Sequence, residues 1–260
     1  GYAKRIQREK GGVCMSFTFN GINSDDMGLF VERYPERPFP SRKQTVYNIH
    51  GRSGDLVVDE GAFSNVTQKY EVYILGGAAG FQEKAKAVAY WLLNVSGYAQ
   101  LTDSYDPTVY RRARFTGGAS FVNSLNKYGR ASLTFDCCPQ RYPITEEKLY
   151  GNFELIVTVP TVNNIMDGLP LIKINRIDSG SAAVITTPAI TISLPTTTAT
   201  TENVMIDFET RTVYTVAGDR IIPVVSGSWN PVGSGDIITV SDTNKISRAP
   251  YTVYTRRWYL

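Results

Sequence analysis

Histidine is nearly absent, with His50 the only one in 260 residues. That scarcity removes most nucleophilic and acid–base constellations, because a Ser–His or Cys–His pair has a single candidate for its base. His50 lies beside the turn Gly51-Arg52-Ser53-Gly54, where a solvated turn histidine is the plainer reading. Cysteine is equally sparse. Cys137 and Cys138 are adjacent and would strain to bridge each other, and Cys14 lies in an N-terminal leader. The chain therefore lacks a disulfide framework, as expected of a protein made in a reducing cytosol. Zinc needs four ligands, or three and a water, and one His with one Cys pair does not supply them. No apolar run approaches the roughly 18 residues of a membrane span. No G-x-G-x-x-G or G-x-x-x-x-G-K-[ST] motif occurs; Gly76-Gly77-Ala78-Ala79-Gly80 reads as a flexible loop and helix cap.

Charge imbalance is also missing from most of the chain. The total is 27 Lys+Arg against 24 Asp+Glu. Residues 1–14 hold Lys4, Arg5, Arg8 and Lys10 against Glu9, so the remainder carries 23 of each sign. The leader has no apolar h-region and is not a secretory signal. Two readings stay open: Met15 is the natural start, preceded by what reads like a ribosome-binding sequence at Lys10-Gly11-Gly12, or the leader is a flexible basic tail. Residues 15–142 hold 14 basic and 12 acidic groups, and residues 143–260 hold 9 and 11. Neither half is polarised enough for nucleic acid to be a specific partner.

What is present is strand. Phe17-Thr18-Phe19 runs into the turn dipeptide Asn20-Gly21. Residues 45–58 read as a hairpin about the Gly51–Asp55 turn, and 69–75 as a further strand. One helix stands out. Phe81, Ala85, Val88 and Leu92 recur at helical spacing, which predicts a helix from about Phe81 to Val95. Gly80 is its expected N-cap, Glu83 lies in its first turn, and Gly97 stops it. Strands follow at 98–102, 108–115 and 130–136. The segment 143–152, with Pro143 and a polar Thr145–Lys148 run, reads as a linker.

Beyond it no helical period is found. Strands are expected at 153–159, 171–175, 183–186, 190–194, 204–208, 211–216, 237–240 and 251–257, the spacing of a β-sandwich. The Thr-rich run Pro195–Thr201 reads as a loop rather than a glycosylated stalk. The expected architecture is mainly β: a leader (1–14), an N-terminal domain (15–142), the linker (143–152) and a C-terminal β-sandwich (153–260).

Other chemistry is thin. Asp25-Asp26 are neighbours that point apart in an extended chain. Asp103-Ser104-Tyr105-Asp106-Pro107 lacks the spacing and closing Glu of an EF-hand. In Arg111-Arg112-Ala113-Arg114 a strand puts Arg112 and Arg114 on one face and Arg111 with Ala113 on the other; a solvated face or a subunit contact is the plainer reading of this cluster than a nucleic-acid surface. No catalytic, cofactor or metal site is expected, and the chain does not read as an enzyme. Its 16 Tyr, 11 Phe and 3 Trp, with Trp258-Tyr259 near the end, favour assembly or carbohydrate binding. Trp229 is a candidate exposed platform for the second.

Five motifs in order resemble the distal tail proteins of long, non-contractile-tailed bacteriophages. They are Ser16–Gly21 with Gly28–Val31; Glu36-Arg37-Pro38 through Ile49–Gly54; Gly129–Pro139; Ile206–Glu209 with Val213-Tyr214; and Tyr254–Leu260. The resemblance spans Ser16 to Leu260, and the leader has no counterpart in it, which favours Met15 as the start. It implies a structural virion protein, made in the bacterial host cytoplasm and placed at the tail tip. It implies a hexameric self-assembled ring joining the tail tube protein to a tail-associated tip protein, and to receptor-binding proteins, with no membrane partner and no cofactor. It further implies an N-terminal β-sandwich with one α-helix and an extended hairpin arm, then a galectin-like C-terminal β-sandwich. The hairpin 45–58 is the candidate arm, and Pro38, Tyr47, His50, Arg52 and Leu56 are the candidate interface residues. The C-terminal half contains no His, whereas galectins bind sugar through a His-containing motif. The alternative function is a carbohydrate-binding module for the host cell wall.

Overall fold

The structure, a computed structural model, describes residues 15–75, 78–117, 122–124, 128–153, 156–175, 180, 182–196, 203–242 and 250–260. The leader and most of the Thr-rich run lie outside them. The chain divides into two compact units that meet between Ile144 and Thr145.

The first unit holds strands β1 (Phe17–Phe19), β2 (Ile22–Asn23), β3 (Leu29–Val31), β4 (Arg42–Tyr47), β5 (Leu56–Phe63) and β6 (Val66–Leu75). After them come helix α1 (Ala78–Leu93) and strands β7 (Ala99–Asp103), β8 (Asp106–Phe115), β9 (Val122–Ser124) and β10 (Tyr128–Pro143). Eight strands form one antiparallel sheet in the order β2-β1-β7-β8-β10-β6-β3, with β9 added beside β10. β1 and β6 are four steps apart in that order, about 19 Å in a flat sheet at about 4.8 Å per step. Yet the Phe17 ring on β1 stacks on Tyr70 of β6, centroids 4.5 Å apart. The sheet therefore curls until its two ends face each other, and one sheet supplies both layers of the sandwich. Phe17 and Phe19 also meet Phe135 of β10, at 5.7 and 5.1 Å. Aromatic bulk at this seam lets a single sheet enclose a core.

α1 closes the remaining side. Phe81, Val88 and Leu92 are buried as their spacing predicted, and Trp91 joins them. The Trp91 indole donates to the Phe19 carbonyl at 3.2 Å. The helix starts at Ala78, three residues before the expected position, since alanines propagate a helix readily. Glu83 therefore lies beyond the first turn. The helix ends at Leu93, and Gly97 takes the left-handed conformation (φ 82°) that turns the chain into β7. β10 runs to Pro143, well past the expected 136. It escapes the usual ban on proline because pairing with β6 ends at Cys137 and pairing with β8 is irregular between Cys137 and Arg141. Pro139 sits in that bulge, where no ladder amide is needed.

The second unit holds β11 (Lys148–Asn152), β12 (Ile156–Thr158), β13 (Leu171–Ile174), β14 (Ala183–Thr186), β15 (Ile190–Ser193) and β16 (Val204–Asp207). It continues with β17 (Thr212–Thr215), β18 (Arg220–Ile221), β19 (Val224–Gly227), β20 (Ile237–Asp242) and β21 (Pro250–Tyr254). Two sheets, β11-β21-β13-β16-β17-β18 and β12-β20-β14-β15-β19, make a β-sandwich. Alternate residues such as Ile172, Ile174, Ile190, Ile192, Val204, Ile206, Ile238 and Val240 fill the space between them. The segment 143–152 contains a strand as well as a connection: β11 pairs along its whole length with β21.

The chain end is locked into this unit. Arg257 is 1% exposed. Its Nε donates to Glu147 Oε2 at 2.9 Å, and its Nη1 to the Pro160 carbonyl at 2.8 Å and to Ser234 Oγ at 3.1 Å. Its Nη2 and the Thr255 hydroxyl complete the set on the Glu147 carboxylate. This arginine near the chain end is thus an internal fastener. Removing one partner of such a pair strands a buried charge at a cost of about 3–5 kcal/mol. Glu147→Ala should lower unfolding free energy by about that much in urea denaturation. Combining it with Arg257→Met should restore part of the loss, since the buried charge is then gone.

Candidate assembly surface

The hairpin predicted at 45–58 exists and is larger than expected. β4 and β5 form a separate two-stranded sheet. Its register pairs Thr45 with Val58, Val46 with Val57 and Tyr47 with Leu56. Thr45, Tyr47, Leu56 and Val58 therefore share one face, and Val46 with Val57 lies on the other. Val46, Tyr47, Leu56, Val57 and Val58, with Ile49 in the following loop, are each between 40% and 56% exposed. A ribbon of two strands has no layer of its own to cover either face, and an isolated hairpin is marginal in water. Here both faces carry apolar side chains.

Polar contacts hold the ribbon in register. Arg42 Nη1 bonds Asp59 Oδ2 at 2.9 Å, and the Arg42 guanidinium lies 5.2 Å from the Phe63 ring. The Thr45 hydroxyl donates to Glu60 Oε1 at 2.9 Å. The Gly61 amide donates to Asp59 Oδ1 at 2.9 Å and, with Arg42, holds that carboxyl below its ordinary range. Gly61 itself has φ 69°, next to the irregular register between Arg42 and Gln44. At the base the Ser64 amide donates to the Ser41 carbonyl at 2.8 Å.

The proline-rich stretch before β4 is pinned to the curled sheet. The buried Gln68 side chain of β6 donates to the Glu36 carbonyl at 3.0 Å. Arg111 Nη2 of β8 donates to the Pro38 carbonyl at 3.3 Å. Arg37 pairs with Asp106. Prolines 35, 38 and 40 lack donor amides, so this stretch joins no ladder, and side chains of the sheet hold it through the Glu36 and Pro38 carbonyls instead. The arm leaves the body from a fixed root.

Four of the five candidate interface residues lie on the arm. Tyr47 and Leu56 form a cross-strand pair; His50 and Arg52 are exposed in the loop joining the strands. Pro38 is apart from them, half-buried at the root. Sequence reasoning missed Val46, Val57 and Val58, although the hairpin register alone would have put them on a ribbon with no second layer.

The remaining candidates resolve as follows. Arg112 and Arg114 share one face, as strand alternation required, and it is the exposed one; Arg114 Nε bonds Asp136 Oδ2 at 2.8 Å and its guanidinium lies 5.8 Å from the Tyr98 ring. Arg111 turns inward and is 8% exposed. Asp103 and Asp106 flank the two-residue turn from β7 to β8, and Asp106 is bound by Arg37 and Arg141. Among the described residues no three His, Cys, Asp or Glu stand together as a metal site, and no helix is long and apolar enough to cross a membrane. Burial pushes the Cys137 thiol up to about 12, far from a reactive thiolate. Trp229 is half-buried, edge-on to Phe208 at 5.0 Å, so it packs on the C-terminal core instead of standing free.

The exposed loop at the arm's end makes Arg52 a protease target. Brief trypsin treatment should cut after Arg52 first, giving two fragments that stay associated, as read by mass spectrometry and gel filtration. Earlier cutting within β6, β8 or β10 would contradict this arrangement.

Neither protein-family models nor curated protein sequences give a match to this chain. Solved structures do. One is the Dit protein of phage SPP1, described as a paradigm of the hub adsorption apparatus in phages infecting Gram-positive bacteria. It is 13% identical, with a TM-score of 0.69 over 94% of this chain and 99% of that one. The baseplate of phage P2 in its calcium-activated conformation gives 9% identity and a TM-score of 0.49 over 93% of this chain and 98% of that one. Through both of its units, this chain has the fold of a phage tail hub protein.

Proposed function

We propose that this chain is a structural protein of a phage tail tip, forming a ring at the distal end of the tail. The ring joins the tail tube to the tip or receptor-binding proteins. The observation that carries the reading is the likeness to the SPP1 hub protein, which leaves almost none of either chain unmatched. The hub proteins it resembles are parts of an assembly, not enzymes.

The arm supports the same reading. Apolar side chains on both faces of a ribbon are stable in solution only if something covers them, and a neighbouring copy does so in a closed ring. The N-terminal unit then makes the ring, with Tyr47, His50, Arg52 and Leu56 on the arm and Pro38 at its root forming the contact. The C-terminal sandwich is taken as galectin-like in fold and as the outward docking platform. Six copies is the stoichiometry that the sequence resemblance implies.

Light scattering coupled to size-exclusion chromatography, with electron microscopy of the same fractions, tests this. Rings of about six copies are expected. Val46→Lys with Val57→Lys should return the protein to monomer with a melting temperature within about 2 °C of wild type, because half-exposed positions contribute little to the monomer. A wild-type protein that remains strictly monomeric at high concentration, with no ring in micrographs, overturns the proposal.

A further inference from the structure

Beside the root of the arm, β6, β7, β8 and β10 border an open cleft lined by Gln68, Asp103, Tyr105, Asp106, Arg111 and Arg141, among others. Two of its donors have no partner: Arg111 Nη1 and Arg141 Nε, both buried from solvent. Arg111 is more than nine-tenths buried, and its other terminal nitrogen is already committed to Pro38. Arg141 Nη1 bonds Asp106 Oδ2 at 2.9 Å. A buried, unpaired guanidinium N–H costs more than an ordinary lost hydrogen bond, because it carries charge.

The charge count is also unbalanced. Arg111 and Arg141 line the cleft with Asp103 and Asp106, and the half-exposed Arg37, bound to Asp106 from outside that lining, adds one further positive charge. Asp103 is engaged by the Tyr70 hydroxyl, and Asp106 by two arginines. Burial raises the Asp103 carboxyl above its ordinary range and lowers the Arg141 guanidinium below its own. Both shifts come first from a site short of solvent. The missing element is an acceptor with one negative charge, small enough for the cleft.

We propose that this cleft is a binding site for a carboxylate, which accepts from Arg111 Nη1 and Arg141 Nε. The carboxylate comes either from a small organic acid or from an Asp or Glu side chain of another copy of the chain. A planar, two-oxygen carboxylate is the acceptor that guanidinium donors favour. Occupancy ties β8 and β10 together where Arg111 also holds the arm's root, so the ligand stiffens the place from which the arm projects. The inference stands on the cleft alone and does not depend on ring formation.

The test uses the full chain with acetate as probe. Melting temperature is measured in increasing sodium acetate, against sodium chloride at equal ionic strength. A saturable rise specific to acetate is expected, with its midpoint weakened about tenfold or more in Arg111→Met, the loss of one charge-assisted hydrogen bond. Line broadening of carbon-13-labelled acetate by the wild-type protein, reversed by excess formate, gives the same answer should Arg111→Met fail to fold. Acetate-dependent dissociation of self-assembled protein identifies the acid as a neighbouring copy's side chain; unchanged assembly with acetate bound identifies a free small acid. A melting temperature that moves no more in acetate than in chloride, with no broadening, overturns the proposal: the two donors then meet only water.

Discussion

The N-terminal unit depends on the aromatic seam between β1 and β6. Eight strands in one sheet cannot bury a core unless the sheet bends back on itself, and Phe17 stacked on Tyr70 is where its ends meet. Phe135 and Trp91 fill the angle behind that stack, with the Trp91 indole held by the Phe19 carbonyl. The same inward face of β6 then serves two further purposes. Tyr70 carries its hydroxyl through to Asp103, at the edge of the polar cleft, and Gln68, two residues away on the same face, holds the backbone at Glu36. One strand thus couples the apolar core to the root of the arm. The arm's direction is set by core packing and not by the arm itself.

The arm reverses the usual economy of a soluble domain. Elsewhere apolar residues alternate inward, as in β8 with Ala113 or β10 with Leu133 and Phe135. On β4 and β5 the alternation has no inside to point to. Covering a half-exposed Val or Leu is worth roughly 1 kcal/mol, so the six apolar residues of the arm hold a free energy that is realised only on association. Charged residues at its base, Arg42 with Asp59 and Thr45 with Glu60, keep the strands paired meanwhile and disfavour sliding of one strand against the other.

Much of this was legible in sequence because the signals were local. The Asn20-Gly21 turn, with both residues at positive φ, and the Gly51–Asp55 loop announce their hairpins directly. Strand alternation set Arg112 and Arg114 apart from Arg111 and Ala113; which pair faces inward is decided by packing. What could not be read depends on distant partners. β11 looked like a linker because Lys148–Asn152 alternates weakly, and it is a strand only because β21 lies beside it. β18 and β19 are short edge pieces around Pro223, with too few residues to show a period. Trp229 looked like a free platform, and Phe208 covers its edge.

The two buried arginines show how one residue type is used in opposite ways. Arg257 and Arg111 are both buried, and a charged side chain is not expected there from its type alone. Around Arg257 every nitrogen of the guanidinium has an acceptor: Glu147 for Nε and Nη2, Pro160 and Ser234 for Nη1. A guanidinium bonded through every nitrogen fixes a single arrangement of the chain end, since any other position would strand its charge. Arg111 spends one nitrogen on Pro38 and keeps Nη1 unpaired, facing a cleft with Arg141 in the same condition. The sheet could have satisfied it with a carboxylate of its own, as Asp106 does for Arg37 and Arg141. Leaving that position to a group from outside makes the order of the arm's root respond to what is bound there, a property that a closed network such as that of Arg257 cannot have.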